Sequence, residues 1–211
     1  MYIPKPFVMN DPTEITNFIH AHSFGILMST VDGQPLATHL PFLYDAERNI
    51  LLAHMAKANP QWRNLNGQSV LVVFSGSHAY ISPSWYEVPA SVPTWNYVAV
   101  HMYGKYTVID SEEELAELLE KTVRFFEPDS ELPSQADEPF YRNMMKAIVG
   151  FRIDITSVEG TEKLSQNKSV EVQQRVIASL SQSADAGAQG VAQLMQERLN
   201  ASKEVGQAGD L

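Results

Sequence analysis

The sequence contains no cysteine. That removes disulfides, thiolate metal sites and a cysteine nucleophile, and argues against a disulfide-stapled secreted module. No apolar run approaches the roughly 18 residues of a spanning helix. The opening MYIPKPFVMNDP lacks the basic start and apolar stretch of a signal peptide. Positive charge is scarce, with 15 Lys and Arg against 25 Asp and Glu and a formal charge of −10. This balance opposes general binding to a polyanion, because phosphate contacts supply most non-specific nucleic-acid affinity. A Gly-rich phosphate loop, an H-E-x-x-H pair and a G-x-S-x-G elbow are also missing. A soluble, cytoplasmic protein away from the membrane is the expectation, with no metal site and no catalytic set singled out.

What is present suffices for a core. In a chain of 211 residues, 44% of them hydrophobic, folding hides roughly 70% of the extended surface. Asn-Asp-Pro before Ile15, Phe18 and Ile19 predicts a short amphipathic helix over 10–22. FGILMSTV and PLATHLPFLY, joined through Asp32-Gly33, read as a hairpin, and ILLAHM as a third strand. SVLVVFSG and HAYIS read as two strands broken at Gly76. SPSWYEVPASVPTWN reads as an irregular loop pinned by aromatic rings, before the strand YVAVHMYGKYTVI.

From Ser111 the period changes to that of a helix, with Ser111 and Glu114 spaced as a capping box and Leu115, Leu118, Leu119, Thr122 and Phe126 on one face. After a polar connector, EPFYRNMMKAI predicts another helix and VGFRIDITSVEG the last strand. The pattern as a whole is mainly β of the α+β class: six or seven mostly antiparallel strands in a barrel-like arrangement with peripheral helices. Residues 1–160 are expected to form this domain. Residues 161–211 add the polar run KLSQNK and a helical extension, in which Val172, Val176 and Leu180 share a face. A linker SQSADAGAQG, a weak helix VAQLMQERL and a frayed tail KEVGQAGDL follow.

Three stretches carry candidate chemistry. AHMAKANPQW ends a strand in a histidine, a lysine and an asparagine, which suits either an anion at a strand end or a solvated loop. Trp85, Tyr86, Trp95, Asn96 and Tyr97 put flat rings beside amides, which suits a planar heterocycle or a packed interface. The histidines are scattered singly, as core or interface residues or as one axial haem ligand. A helix-turn-helix reader over the C-terminal helices is disfavoured, because SQSADAGAQG reads as too long for its turn and the segment is not strongly basic.

Taken in order, MYIPKPF, LPFLYD, LLAHMAKANPQW, AYISPSWY, VPTWNYVAVHMYG and KLSQNK resemble the PaiB-like family of FMN-binding split-barrel proteins, described as negative transcriptional regulators. The resemblance runs from Met1 to about Leu180. It implies a split β-barrel with a C-terminal helical extension, a homodimer, and a planar cofactor at the subunit interface: FMN, with haem as the alternative. It further implies a regulatory or redox-sensing role. A flavin-dependent oxidoreductase or haem-binding or haem-degrading protein of the same fold is one alternative, and a direct DNA-binding repressor another. On this resemblance His54, Ala56, Lys57 and Asn59 approach the phosphate and ribityl end, and Trp85, Tyr86, Trp95 and Asn96 line the ring end. Lys163, Ser165, Gln166 and Asn167 approach the same pocket, with Lys163 or Lys168 meeting an anionic group.

Overall fold

The computed structural model describes residues 1–131 and 139–208, with side chains described as far as residue 202. Eight strands form one antiparallel sheet: β1 (Val8–Met9), β2 (Phe24–Val31), β3 (Gln34–Pro41), β4 (Leu43–Asp45), β5 (Ile50–Ala56), β6 (Ser69–Ile81), β7 (Thr94–Val108) and β8 (Ile148–Lys163). Their order is β3-β2-β6-β7-β8-β5-β4, with β1 paired to β8 off this path. The path does not return on itself, so the split barrel anticipated from the sequence is present as an unclosed sheet. Five helices accompany it: α1 (Pro12–Ala21), α2 (Glu112–Phe126), α3 (Pro139–Met145), α4 (Val170–Ser181) and α5 (Ala186–Ala208). No described helix is long and apolar enough to cross a membrane.

The chain clusters into two units. One comprises residues 11–74 and 100–159. Its hairpin β2–β3 turns on Asp32 and Gly33, both at positive φ, with Val31 facing Gln34. This is the two-residue turn whose twist matches the strands it joins. Alternation along the strands sends Leu27, Leu51, Val72 and Ile153 inward, and all are buried. The core is closed by rings: Phe42 meets Phe74 and Phe151 edge-on, and Tyr106 stacks on Phe151 at 4.5 Å. Asp11 caps α1 by accepting from Thr13 N at 2.7 Å. Ser111 caps α2 by accepting from Glu114 N at 3.3 Å, while its own hydroxyl donates to Glu113 rather than Glu114, at 2.6 Å.

The other unit comprises residues 1–10, 75–99 and 160–211. Helix α4 buries Val172, Val176 and Leu180, the face its periodicity predicts. Helix α5 buries Ala188, Val191, Ala192, Met195 and Leu199, again one stripe at helical spacing.

Three expectations are corrected. Strand β6 runs unbroken through Gly76, because sheet pairing overrides the glycine's poor strand preference. Within the loop expected after β6, residues Pro83–Tyr86 form a 3-10 turn, and β7 already starts at Thr94. SQSADAGAQG is mostly helix rather than linker: four residues, 182–185, separate α4 from α5. A turn that short is no longer too long for a helix-turn-helix. The expected polar connector falls largely at 132–138, outside the described residues, as does Glu138 at the start of EPFYRNMMKAI. The end of the expected frayed tail, residues 209–211, lies outside them too.

Candidate functional site

In the unit containing α4 and α5, alternation decides which side chains reach the surface. Ala79 and Ile81 of β6 point inward, leaving His78 and Tyr80 on the outer face; in β7, Asn96 points inward and Trp95 outward. The three outward rings gather. Trp95 lies 6.1 Å from His78 and 6.2 Å from Tyr80, the latter edge-on. Tyr80 is 48% and Trp95 53% exposed, so their faces are open to a ligand. Trp85 joins them from the 3-10 turn, where Ser82 accepts from Ser84 N. Together with Ser179–Ala188 at the α4–α5 turn, these rings bound a cavity of 640 Å³.

On the buried side of this unit, three more candidates, Tyr86, Asn96 and Ser165, form a polar cluster. Asn96 is fully buried and its Nδ2 donates to Ser165 Oγ at 2.9 Å, with Met195 Sδ at 3.5 Å. Tyr86 is buried too. Burial pushes its hydroxyl pKa up, against a hydrogen bond with Ser165. The Tyr86 carbonyl accepts from Arg175 Nη2 at 2.7 Å. In KLSQNK, Leu164 N donates to Gln166 Oε1 at 2.7 Å, Gln166 Nε2 donates to Glu162 O at 2.5 Å, and Lys168 N donates to Ser165 O at 2.9 Å. Ser165 adopts φ +63° to make this turn. The Lys163 ammonium donates to Thr94 Oγ1, and burial pushes its pKa down. Lys168 lies 5.0 Å above the Tyr86 ring, a cation–π contact. Asn167 is exposed.

The first group of candidates lies in the other unit. His54 is half-buried on β5, and burial pushes its imidazole below the usual histidine value. Ala56 and Lys57 are exposed where β5 ends, with Lys57 N donating to Ala147 O at 2.8 Å. Asn59 caps a 3-10 turn, Pro60–Asn64, by accepting from Gln61 N at 2.9 Å, and its Nδ2 donates to Thr38 Oγ1 at 3.0 Å. Gln61, buried beneath, accepts from Thr38 and donates to Ser29 Oγ at 2.8 Å. Trp62 Nε1 donates to the Lys57 carbonyl at 3.1 Å. The segment is therefore held rigidly, and it presents the Lys57 ammonium to solvent.

The structure thus brings Trp85 and Trp95 to the cavity. Tyr86, Asn96 and Ser165 sit in the polar cluster instead, and Gln166 is committed to its own loop. Sequence reasoning singled out neither His78 and Tyr80 nor Gln182, Ser183 and Asp185 for a ligand site. Alternation of Ala79 and Ile81 could have revealed the first pair; nothing in the sequence places the other three opposite them. Among the described residues no cluster of three or more His, Asp or Glu could hold a metal ion.

Comparison with known proteins agrees with this architecture. The family described as "Putative FMN-binding domain" matches residues 1–157. Protease synthase and sporulation protein PAI 2 of Bacillus subtilis is 40% identical over 205 residues, covering 94% of this chain and 98% of that one. Among solved structures, the flavocytochrome Anf3 from Azotobacter vinelandii superposes with a TM-score of 0.61 at 17% identity, over 74% of this chain and 68% of that one. The FAD and heme binding protein from Mycobacterium smegmatis gives 0.59 at 15% identity, over 78% and 77%. At those identities the two structures speak for the fold alone. The family match and the Bacillus relative go further: the chain belongs to the PaiB-like family of FMN-binding-domain proteins.

Proposed function

We propose that this protein binds FMN or a closely related planar flavin, and that it works as a homodimer in regulation or redox sensing. The observation that carries the reading is the 640 Å³ cavity walled by His78, Tyr80, Trp85 and Trp95, in a member of a family described by FMN binding. Its volume falls within the roughly 300–1,000 Å³ of small-molecule sites. Aromatic faces left open beside a few polar groups fit a fused-ring ligand, which stacks on them while its edge is read by hydrogen bonds. Bound flavin would supply the electron-accepting ring, and the protein's part is to stack and orient it. Of the lysines in the cavity's own unit, Lys163 already serves Thr94 with its ammonium, so it is Lys168 to which we assign a ligand phosphate.

Dimerisation is supported by the outer face of β2, β3 and β6. There Phe24 pairs with Pro41, Ile26 with His39 and Val73, and Met28 with Ala37 and Leu71. Exposed apolar faces of this kind mark association surfaces, and a second copy of the chain is the occupant we assign. The name of the Bacillus relative, which concerns protease synthase and sporulation, supports the regulatory side of the reading. The charge of −10 and the pairing of Arg175 with Glu87 and Arg198 with Glu162 favour action through a cofactor over broad phosphate contact with DNA.

The test is titration of purified protein with FMN, riboflavin and haemin, followed by absorbance and flavin fluorescence. FMN and riboflavin are expected to bind, and Trp95→Ala to weaken both by about 0.5–1.5 kcal/mol. Lys168→Ala should weaken FMN by about 1–3 kcal/mol and leave riboflavin unchanged. Wild-type protein that takes up neither flavin, or haemin alone, overturns the reading.

A further inference from the structure

The family match ends at residue 157, yet one side of the aromatic cavity is built from Ser179–Ala188, beyond it. The chemistry of that side differs from the aromatic wall. Gln182 offers a carboxamide that makes no hydrogen bond among the described residues, and Asp185 offers a carboxylate. Asp185 Oδ1 accepts from Ala188 N at 2.8 Å, which leaves Oδ2 uncommitted.

The turn that carries this carboxylate is held by three further hydrogen bonds. Asp185 N donates to Ser183 Oγ at 3.1 Å, Gln189 Nε2 donates to Ser183 O at 2.9 Å, and Gln189 N donates to Asp185 O at 3.1 Å. Gly187 lies so close to β6 that a Cβ there would stand 2.9 Å from His78 O and 3.0 Å from Asp185 Oδ1. The missing side chain is what lets the carboxylate stand beside the strand that carries His78 and Tyr80.

We infer that Gln182 and Asp185 form the specificity edge of the cavity, selecting a planar heteroaromatic whose rim carries an N–H donor and turning away a ligand's phosphate. The inference rests on the flavin reading above and adds an orientation to it. A carboxylate and a carboxamide oxygen are acceptors, so they pair with an imide or amine N–H, while an anionic group meets like charge. The isoalloxazine of a flavin has one such donor, the imide N3–H between its two carbonyls. That edge enters toward Asp185, and the ribityl phosphate points out of the cavity.

The experiment compares riboflavin with 3-methylriboflavin, which lacks that donor, on wild-type protein and on Asp185→Asn and Gln182→Ala. Asparagine caps helices as well as aspartate, so Asp185→Asn removes charge and preserves the turn; circular dichroism checks this. Wild type is expected to prefer riboflavin about ten-fold, the usual worth of a hydrogen bond to a charged group. Asp185→Asn should abolish most of that preference and Gln182→Ala should reduce it. Equal binding of the two flavins to wild type, or undiminished preference in both variants, overturns the specificity edge and leaves the flavin reading standing. Binding of neither flavin removes both.

Discussion

Ser165 holds a backbone conformation, φ +63°, that side-chain-bearing residues adopt at a cost, and it does so while its hydroxyl receives the buried Asn96 amide. Two substitutions separate these effects. Ser165→Ala keeps the strain and deletes the hydroxyl, leaving Asn96 Nδ2 short of a partner in the interior; a loss of about 1–3 kcal/mol is expected from urea denaturation. Ser165→Gly deletes the same hydroxyl and relieves the backbone, so its loss should be smaller. A glycine variant less stable than the alanine variant contradicts this account. The pair also shows where residue-level reading of the sequence stops. The family resemblance places Asn96, Ser165 and Gln166 at a ligand, and their side chains can each hold a polar group. Asn96 and Ser165, however, find each other across 69 positions, and Gln166 finds the Glu162 carbonyl. Composition states that a polar atom needs a partner; it does not say which.

At the scale of elements, periodicity was legible wherever one face is buried: α1, α2, α4 and the β2–β3 hairpin all follow their patterns. Helix α5 was only half legible. Gly187 and Gly190 lower its intrinsic helix preference, so the stretch reads as linker; docking on β6 compensates. A Cβ on Gly190 would collide with Ser77 Oγ and come within 3.0 Å of Ser77 Cβ. Gly190→Ala should therefore destabilise the protein despite alanine's better helix propensity. Ser77→Gly in the same chain should restore much of the loss. Thermal unfolding of the two single variants and the double variant measures this coupling, and simple additivity would mean that α5 does not meet β6 through these residues. The cavity was partly illegible for the same reason. Its aromatic wall belongs to recognisable strands, whereas Asp185 enters only because α5 starts at Ala186, five residues earlier than the pattern suggests.

For the molecule as a whole, the outer sheet face makes the proposed association testable. Analytical ultracentrifugation should find wild type as a dimer. Met28→Glu, which sets a charge at an exposed, 39% accessible position among Ile26, Ala37 and Leu71, should give a folded monomer. A monomeric wild type, or a Met28→Glu protein that still pairs, would mean this face is not where copies meet. The expectation of a dimer rests on the family likeness and on no pattern in the residues, because strand alternation marks both faces of this sheet as apolar.

The pairing of β1 with β8 has a consequence in time. Strand β1 lies against the C-terminal end of strand β8, Val8 facing Thr161, and Thr161 Oγ1 donates to Phe7 O across 154 positions of chain. A ribosome adding roughly 5–20 residues per second exposes the first segment about 8–30 s before its partner strand exists. Closing that pair is therefore among the last events of biogenesis. Until then the N-terminal strand, with the apolar Phe7 and Met9, is available to whatever the nascent chain meets.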